Sequence, residues 1–300
     1  MKTHPWVSLF GRLLPLQWLA CAALSAAAPD TRVILLGTGN PNPDPERMGP
    51  AVAVVSGEHV YMVDAGPGVV RRAAQAGIKM EQLTRAFLTH LHSDHTLGLP
   101  DLIFSPAFTG RTEGIEIYGP PGTAAMAGHV QAAWSEDVAI RLHGGEPAVA
   151  PAYEIKAHDV MPGEIYRDEA VRVIAIKVDH GTWKHAYGYR FEAKDKVIVI
   201  SGDTTYSESL IVGAQGCDIL VHEVYCRKAW ETRPPAWKAY HAAFHTLAPD
   251  VGRLAAIVRP KKLVLYHQLP MKGLPEDILQ EVRAAFDGEI VYGNDLDVVR

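Results

Sequence analysis

Apolar residues arrive in short bursts from residue 31 onward, and most bursts are rich in valine, isoleucine and leucine. Residues 31–36, 51–56, 59–64 and 85–89 read as early strands, since such runs bounded by turn-forming residues suit β-structure. Residues 69–77 read as a helix between the third and fourth of them. A helical piece at 97–104, a strand at 115–118 and a helix at 123–138 follow. Later strands are expected at 171–178, 186–192, 197–201, 219–222 and 263–266, with helices at 249–258 and 275–286 and a last edge strand at 289–292. Strands alternating with shorter helices predict an α/β (α+β) architecture, sheets covered by helices. No internal repeat or low-complexity linker divides residues 29–300, so one domain is expected.

The first 28 residues follow a different rule. Lys2 and Arg12 carry positive charge, residues 13–24 are mainly apolar, and Ser25-Ala26-Ala27-Ala28 offers small residues for a signal peptidase. The apolar part falls short of the ~20 residues that span a bilayer. A cleaved export signal is expected, with the mature chain periplasmic or secreted and carrying no membrane span. The chain's 29 basic and 34 acidic residues give a charge of −5, which loss of Lys2 and Arg12 takes to −7. That balance lacks the general basic footprint of a nucleic-acid binder. Cys217 and Cys226 flank the strand-like run 218–222, and an extended segment holds its ends beyond the ~7 Å a disulfide can bridge. They are expected as buried thiols.

The candidate chemistry lies in Thr89-His90-Leu91-His92-Ser93-Asp94-His95. In extended backbone, alternate side chains share a side, so His90, His92 and Asp94 can converge, with His95 brought in by a following helix. Neutral imidazole suits zinc, and a carboxylate can serve a second ion or orient water. One short cluster rarely completes two coordination shells, so further ligands should sit at strand ends facing the same way. His180 (with His185 close enough to exchange with it), Asp203 and His267 each occupy such a position. Gly37-Thr38-Gly39 lacks the third glycine of a dinucleotide fingerprint, and the proline-rich run after it cannot open a helix. It reads as a wall of the pocket or as a structural turn.

With these residues in place the chain resembles the metallo-β-lactamase superfamily over essentially its whole mature length. It looks most like the branch holding ribonuclease Z and a group of secreted arylsulfatases. The branch likeness rests on the opening glycine loop, His95-Thr96-Leu97-Gly98-Leu99-Pro100, Tyr187-Gly188-Tyr189-Arg190, Ser201-Gly202-Asp203-Thr204 and His222-Glu223-Val224. The resemblance implies a four-layer αβ/βα sandwich holding two zinc ions per chain, with manganese or iron as other candidates. It implies that His90, His92 and His180 hold one ion, that Asp203 bridges, and that Asp94, His95 and His267 complete the second shell. It also implies His245 as proton donor to the leaving oxygen, oriented by Glu223, whose charge would raise the protonated share of His245. Asp94 would orient the nucleophile or accept its proton.

One departure bears on substrate. Members that mature tRNA carry a long arm between the strands that here are joined by Ala193-Lys194-Asp195-Lys196, and four residues make a turn but no arm. The short turn, the acidic charge and the export signal argue against tRNA and for a small-molecule ester. The expected activity is hydrolysis of phosphodiester or sulfate-ester bonds. A β-lactam or lactone hydrolase, a ribonuclease Z-type endonuclease, or a binding protein without turnover are the alternatives. A homodimer is consistent with the resemblance.

Overall fold

The computed structural model describes residues 1–2 and 30–300, so all but the first two residues of the expected leader lie outside the described residues. The first sheet is built from β1 (Arg32–Gly37), β2 (Ala51–Ser56), β3 (His59–Val63), β4 (Arg85–Phe87), β5 (Ile115–Gly119) and β6 (Ile155–Asp159), and is completed by the C-terminal strand. The second is built from β7 (Gly163–Arg167), β8 (Val171–Lys177), β9 (Tyr187–Ala193), β10 (Val197–Ile200), β11 (Ile219–Tyr225), β12 (Lys262–Leu269) and β13 (Glu289–Tyr292). With β14 (Val298–Val299), the sheet orders are β14-β1-β2-β3-β4-β5-β6 and β13-β12-β11-β10-β9-β8-β7. The helices in the first half are α1 (Val69–Gln75), α2 (Ser93–Thr96), α3 (Leu99–Thr109), α4 (Thr123–Ala133) and α5 (Ser135–His143). Those in the second are α6 (Glu208–Gly213), α7 (Arg227–Trp230), α8 (Pro235–Phe244), α9 (Ala248–Val258) and α10 (Pro275–Arg283). None of the helices among the described residues is long and apolar enough to cross a membrane.

Three apolar layers set the architecture. Between the sheets, Leu35, Tyr61 and Phe87 meet Tyr189, Phe191, Ile200 and Val221. Outside the first sheet, Leu36, Met62 and Leu88 pack on Val69 of α1 and Leu102 of α3. Outside the second, Val199, Leu220 and Leu265 pack on Leu210, Leu254 and Ile278 of α6, α9 and α10. Each such side chain contributes roughly 1.5–3 kcal/mol on full burial. Both faces of the central strands are therefore apolar, which explains their nearly unbroken hydrophobic runs. The result is the expected helix–sheet–sheet–helix sandwich.

Parallel pairing directs the strand ends. β3 through β6 run parallel, as do β10 through β13, so the loops after several central strands gather at one edge of the sandwich. Two local distortions aim side chains there. The β11–β12 register passes from Glu223↔Tyr266 to Val224↔Gln268, leaving His267 as an extra residue with φ 43°. Such a bulge re-aims a side chain at the end of pairing. Gly202 has φ 60°, and a Cβ there would lie 2.7 Å from Tyr187 O and 2.9 Å from Thr89 Cβ. Only glycine lets β10 turn so closely under the histidine loop and deliver Asp203.

Three expectations about elements need correction. The helix expected at 123–138 is two, broken at Trp134, whose ring stacks on Phe104 at 5.7 Å. The piece expected at 97–104 starts at Leu99 and runs on through Pro106 to Thr109. β6, β7 and α8 were not expected, because their hydrophobic patterns are weak: β6 and β7 lie at sheet edges with exposed charges, and only His241 of α8 is buried. Cys217 and Cys226 are free and buried, as expected.

Candidate metal centre

The histidine loop is bolted to both sheets before any ligand is considered. Tyr189 Oη donates to Leu88 O at 2.6 Å, and Tyr187 N donates to Thr89 O at 2.9 Å. Asp64, at the end of β3 with φ 61°, accepts from Thr89 N at 2.8 Å, from Thr89 Oγ1, and from His95 Nδ1 at 2.8 Å. Thr89 has one hydroxyl proton and gives it to Asp64, so His90 Nδ1–H must be the donor in the 3.0 Å contact with Thr89 Oγ1. His180 Nδ1 donates to Phe244 O at 2.6 Å. The outer nitrogens of His90 and His180 thus carry the protons, and their Nε2 lone pairs point inward. Outer partners that fix a tautomer in this way are what metal-ligating histidines require.

The inward atoms converge in two adjoining groups, His90, His92, His180 and Asp203 in one and Asp94, His95 and His267 in the other. His90 Nε2 and His180 Nε2 lie 3.0 and 3.1 Å from His92 Nδ1, and 3.9 and 4.0 Å from Asp203 Oδ2. On the other side, His267 Nε2 lies 3.3 Å from Asp94 Oδ2 and 3.4 Å from Asp203 Oδ2, and His95 Nε2 lies 3.6 Å from Asp94 and 3.5 Å from Asp203. Within each group the donor atoms lie within 4.8 Å of one another. His95 Nε2 and Asp203 Oδ1 are buried without a hydrogen-bond partner. Orphaned nitrogen and oxygen donors facing a common point fit a divalent cation better than any internal hydrogen-bond scheme. The His/Asp groups could hold metal.

All seven residues expected as ligands come together here. His185 enters neither group, so geometry selects His180 from that pair. His245, which follows α8, also reaches the cluster, with Nδ1 3.8 Å from Asp203 Oδ2 and 3.4 Å from Glu223 Oε1. It forms a third possible donor group with Asp203 and His267. Asp64 was not expected as a site residue. It lies at a strand end, the same signal that marks Asp203, and that signal would have found it.

Electrostatics divide the cluster. Burial pushes His90 well below and His92 below the ordinary imidazole range, and pushes His180 down to about 4. For His95 burial acts in the same sense, but the Asp203 and Asp64 carboxylates overcome it and hold the ring well above its usual value. His267 is raised likewise, by Asp203 and its contact with Asp94 against burial. Asp203 and Asp94 are both held low against burial, Asp203 by His267 and His95, Asp94 by His267 and then His95. The Asp203 side therefore demands positive charge, from protons or from a cation.

Burial and then the Asp203 charge raise the Glu223 carboxyl well above the usual range, and burial drives His245 down to about 4. Glu223 Oε1 accepts from Thr246 N at 2.8 Å and Thr204 N at 3.3 Å, fixing the backbone that carries His245. The proline-rich loop after Gly39 lines a groove of about 590 Å³ that reaches Asp94, so it walls the site as well as turning the chain.

Residues 59–268 match the family model described as a beta-lactamase superfamily domain. The chain is 34% identical over 268 residues to a ribonuclease Z of Mycobacterium sp. (strain KMS), covering 88% of this chain and 94% of that one. Among solved structures, the metallo-beta-lactamase fold protein YhfI from Bacillus subtilis superposes with a TM-score of 0.68 at 19% identity, covering 90% of this chain and 99% of that one. The short form of human tRNase Z gives 0.66 at 22% identity, covering 90% and 98%. With that identity sustained over that length, the chain belongs to the metallo-β-lactamase superfamily, as a metallo-β-lactamase-fold hydrolase of its ribonuclease Z branch.

Proposed function

We propose that residues 1–28 export this chain and that residues 29–300 form a single-domain, two-zinc hydrolase of phosphodiester or sulfate-ester bonds in small molecules. The observation that carries this reading is that two donor groups adjoin at Asp203, which belongs to the first and lies within 3.5 Å of His95 and His267 of the second, with His245 at their margin. His90, His92 and His180 would hold one ion, Asp94, His95 and His267 the other, and Asp203 would touch both. Bound there, two cations would supply hydroxide near neutral pH and neutralise charge on the attacked ester. Asp94, its carboxyl held low by His267 and His95 against burial, would orient the attacking water and accept its proton. His245 would give a proton to the leaving oxygen, its protonated form favoured by the Asp203 and Asp94 carboxylates against burial, from a backbone that Glu223 holds.

Small esters are favoured over folded RNA by the β9–β10 connection. Glu192 pairs with Val197, and Ala193 N donates to Lys196 O, so the strands close in a tight hairpin with no arm. The net charge of −5 adds no general attraction for a polyanion. The ribonuclease Z relatives favour a second reading, an endonuclease acting on RNA. Sulfate esters stay within the first reading, since sulfate offers a tetrahedral centre with the same oxygen geometry.

Turnover of the zinc-loaded chain on an aryl phosphodiester, an aryl sulfate, a β-lactam and a precursor tRNA tests both readings. The proposal expects the phosphodiester or the sulfate to lead, and dominance of the tRNA or the β-lactam contradicts it. His245→Ala is expected to keep its metal and to lose about 10²–10⁴-fold on esters with poor leaving groups, with less loss on good ones. Loss of one ion per chain would make His245 a ligand instead.

Two further outcomes concern the metal itself. Trp183 Nε1–H donates to His92 Nε2 at 2.7 Å, which places the ring proton on Nδ1. With the Nδ1 lone pair given to a cation, the His92 ring proton would sit on Nε2, where it would meet the indole N–H head on. Zinc titration is therefore expected to change tryptophan emission, and Trp183→Phe to abolish the change and tighten zinc binding several-fold. An unaltered response in that variant contradicts the geometry. On acidification, groups with raised pKa take up protons first, so the ion at Asp94, His95 and His267 should leave at higher pH than the one at His90, His92 and His180. Metal content followed against pH should fall in two steps, and loss from the three-histidine side first would reverse the assignment.

A further inference from the structure

Beside the metal groups lies a groove of about 550 Å³ that the ligands and the proton donor leave unexplained. Its walls include Pro41, Asn42, Trp237, Tyr240, His245 and Leu269. Trp237, Tyr240 and His241 sit at i, i+3 and i+4 on α8, hence on one helix face. Trp237 is 49% exposed and Tyr240 38% exposed, although both are large aromatic side chains. Their rings meet nearly at right angles, 85° with centroids 5.7 Å apart. Tyr240 is backed by Phe244, stacked at 4.5 Å, and Trp237 by the Arg233 guanidinium 5.6 Å from its ring. The two rings are thus supported from behind and left partly exposed to the groove, where one further ring could pack against them.

The groove's chemistry and its position narrow what would lie there. None of its wall residues is Lys, Arg, Asp or Glu. An anionic group would find no lysine or arginine among them. His245 is itself a wall residue, its ring 6.4 Å from that of Tyr240, and its Nδ1 lies 3.8 Å from Asp203. The groove therefore starts at the reacting centre on the side from which the leaving oxygen would receive its proton. A group carried by that oxygen would extend into it.

We infer that this groove is the leaving-group subsite and that it selects a flat, uncharged aromatic ring, with Trp237 and Tyr240 as the specificity-determining residues. The inference rests on the ester-hydrolase reading above. Ring stacking of this kind gives about tenfold in affinity. An aryl alcohol or a nucleoside could bring the ring, and the two share this chemistry.

The test uses zinc-loaded protein and two diesters with leaving groups of similar acidity, benzyl methyl phosphate and cyclohexylmethyl methyl phosphate. The benzyl ester should be preferred about tenfold in kcat/KM, chiefly through KM. Trp237→Leu and Tyr240→Leu should bring the ratio towards one, while Trp237→Phe retains it; zinc content reports that each variant is folded. A methyl ester of adenosine 3′-phosphate should lose the same factor in Trp237→Leu, and its kcat/KM beside that of the benzyl ester identifies the source of the ring. A wild-type ratio near one, or a ratio that survives both leucine variants, overturns the subsite. Binding of benzylphosphonate against cyclohexylmethylphosphonate, which contain no ester bond, is read separately by displacement. An aromatic preference there with no ester turnover would refute the hydrolase reading and leave the groove standing.

Discussion

Everything at this edge of the sandwich answers to the carboxylate of Asp203. It is 2% exposed, and five imidazole nitrogens, from His90, His95, His180, His245 and His267, lie within 4.0 Å of its oxygens. A buried carboxylate without compensation is destabilising by several kcal/mol. The histidines supply that compensation by two routes: those held high by carboxylates can carry charge, and those held low by burial present lone pairs. The same arrangement that makes the folded chain tolerate Asp203 makes it receptive to cations.

The scaffold contributes by forcing side chains where relaxed backbone would not put them. Gly202 carries β10 under Thr89 with no room for a Cβ. The bulge at His267 adds one residue to β12 where its pairing with β11 shifts. Asp64 ties the first ligand loop down through Thr89 and His95, and Phe244 orients His180 from a helix that also delivers His245. α8 therefore ties His180, His245 and the exposed pair Trp237 and Tyr240 to one element. A change in its position would alter all three together.

Much of this was legible in the sequence, for reasons specific to each residue. The central strands announced themselves because both their faces are buried, and His90 to His95 did so because four donors in six residues have few other uses. Asp203 and His267 were found by their place at strand ends. Asp64 meets the same criterion, as the last residue of the run 59–64. Edge strands β6 and β7 escaped because their burial is slight, and α8 because its aromatic residues face solvent. The upward shift of the Glu223 carboxyl is not legible in the sequence, since it depends on burial and on the Asp203 charge, which only the assembled fold brings together.

The claim that Asp203 unites two cation sites is tested most directly by metal content. Elemental analysis of the zinc-loaded, dialysed chain should give two ions per wild-type molecule. Asp203→Asn, which keeps the shape and removes the charge, should lose or greatly weaken both while circular dichroism reports an intact fold. One ion in the wild type, or two retained in the folded variant, would contradict the account.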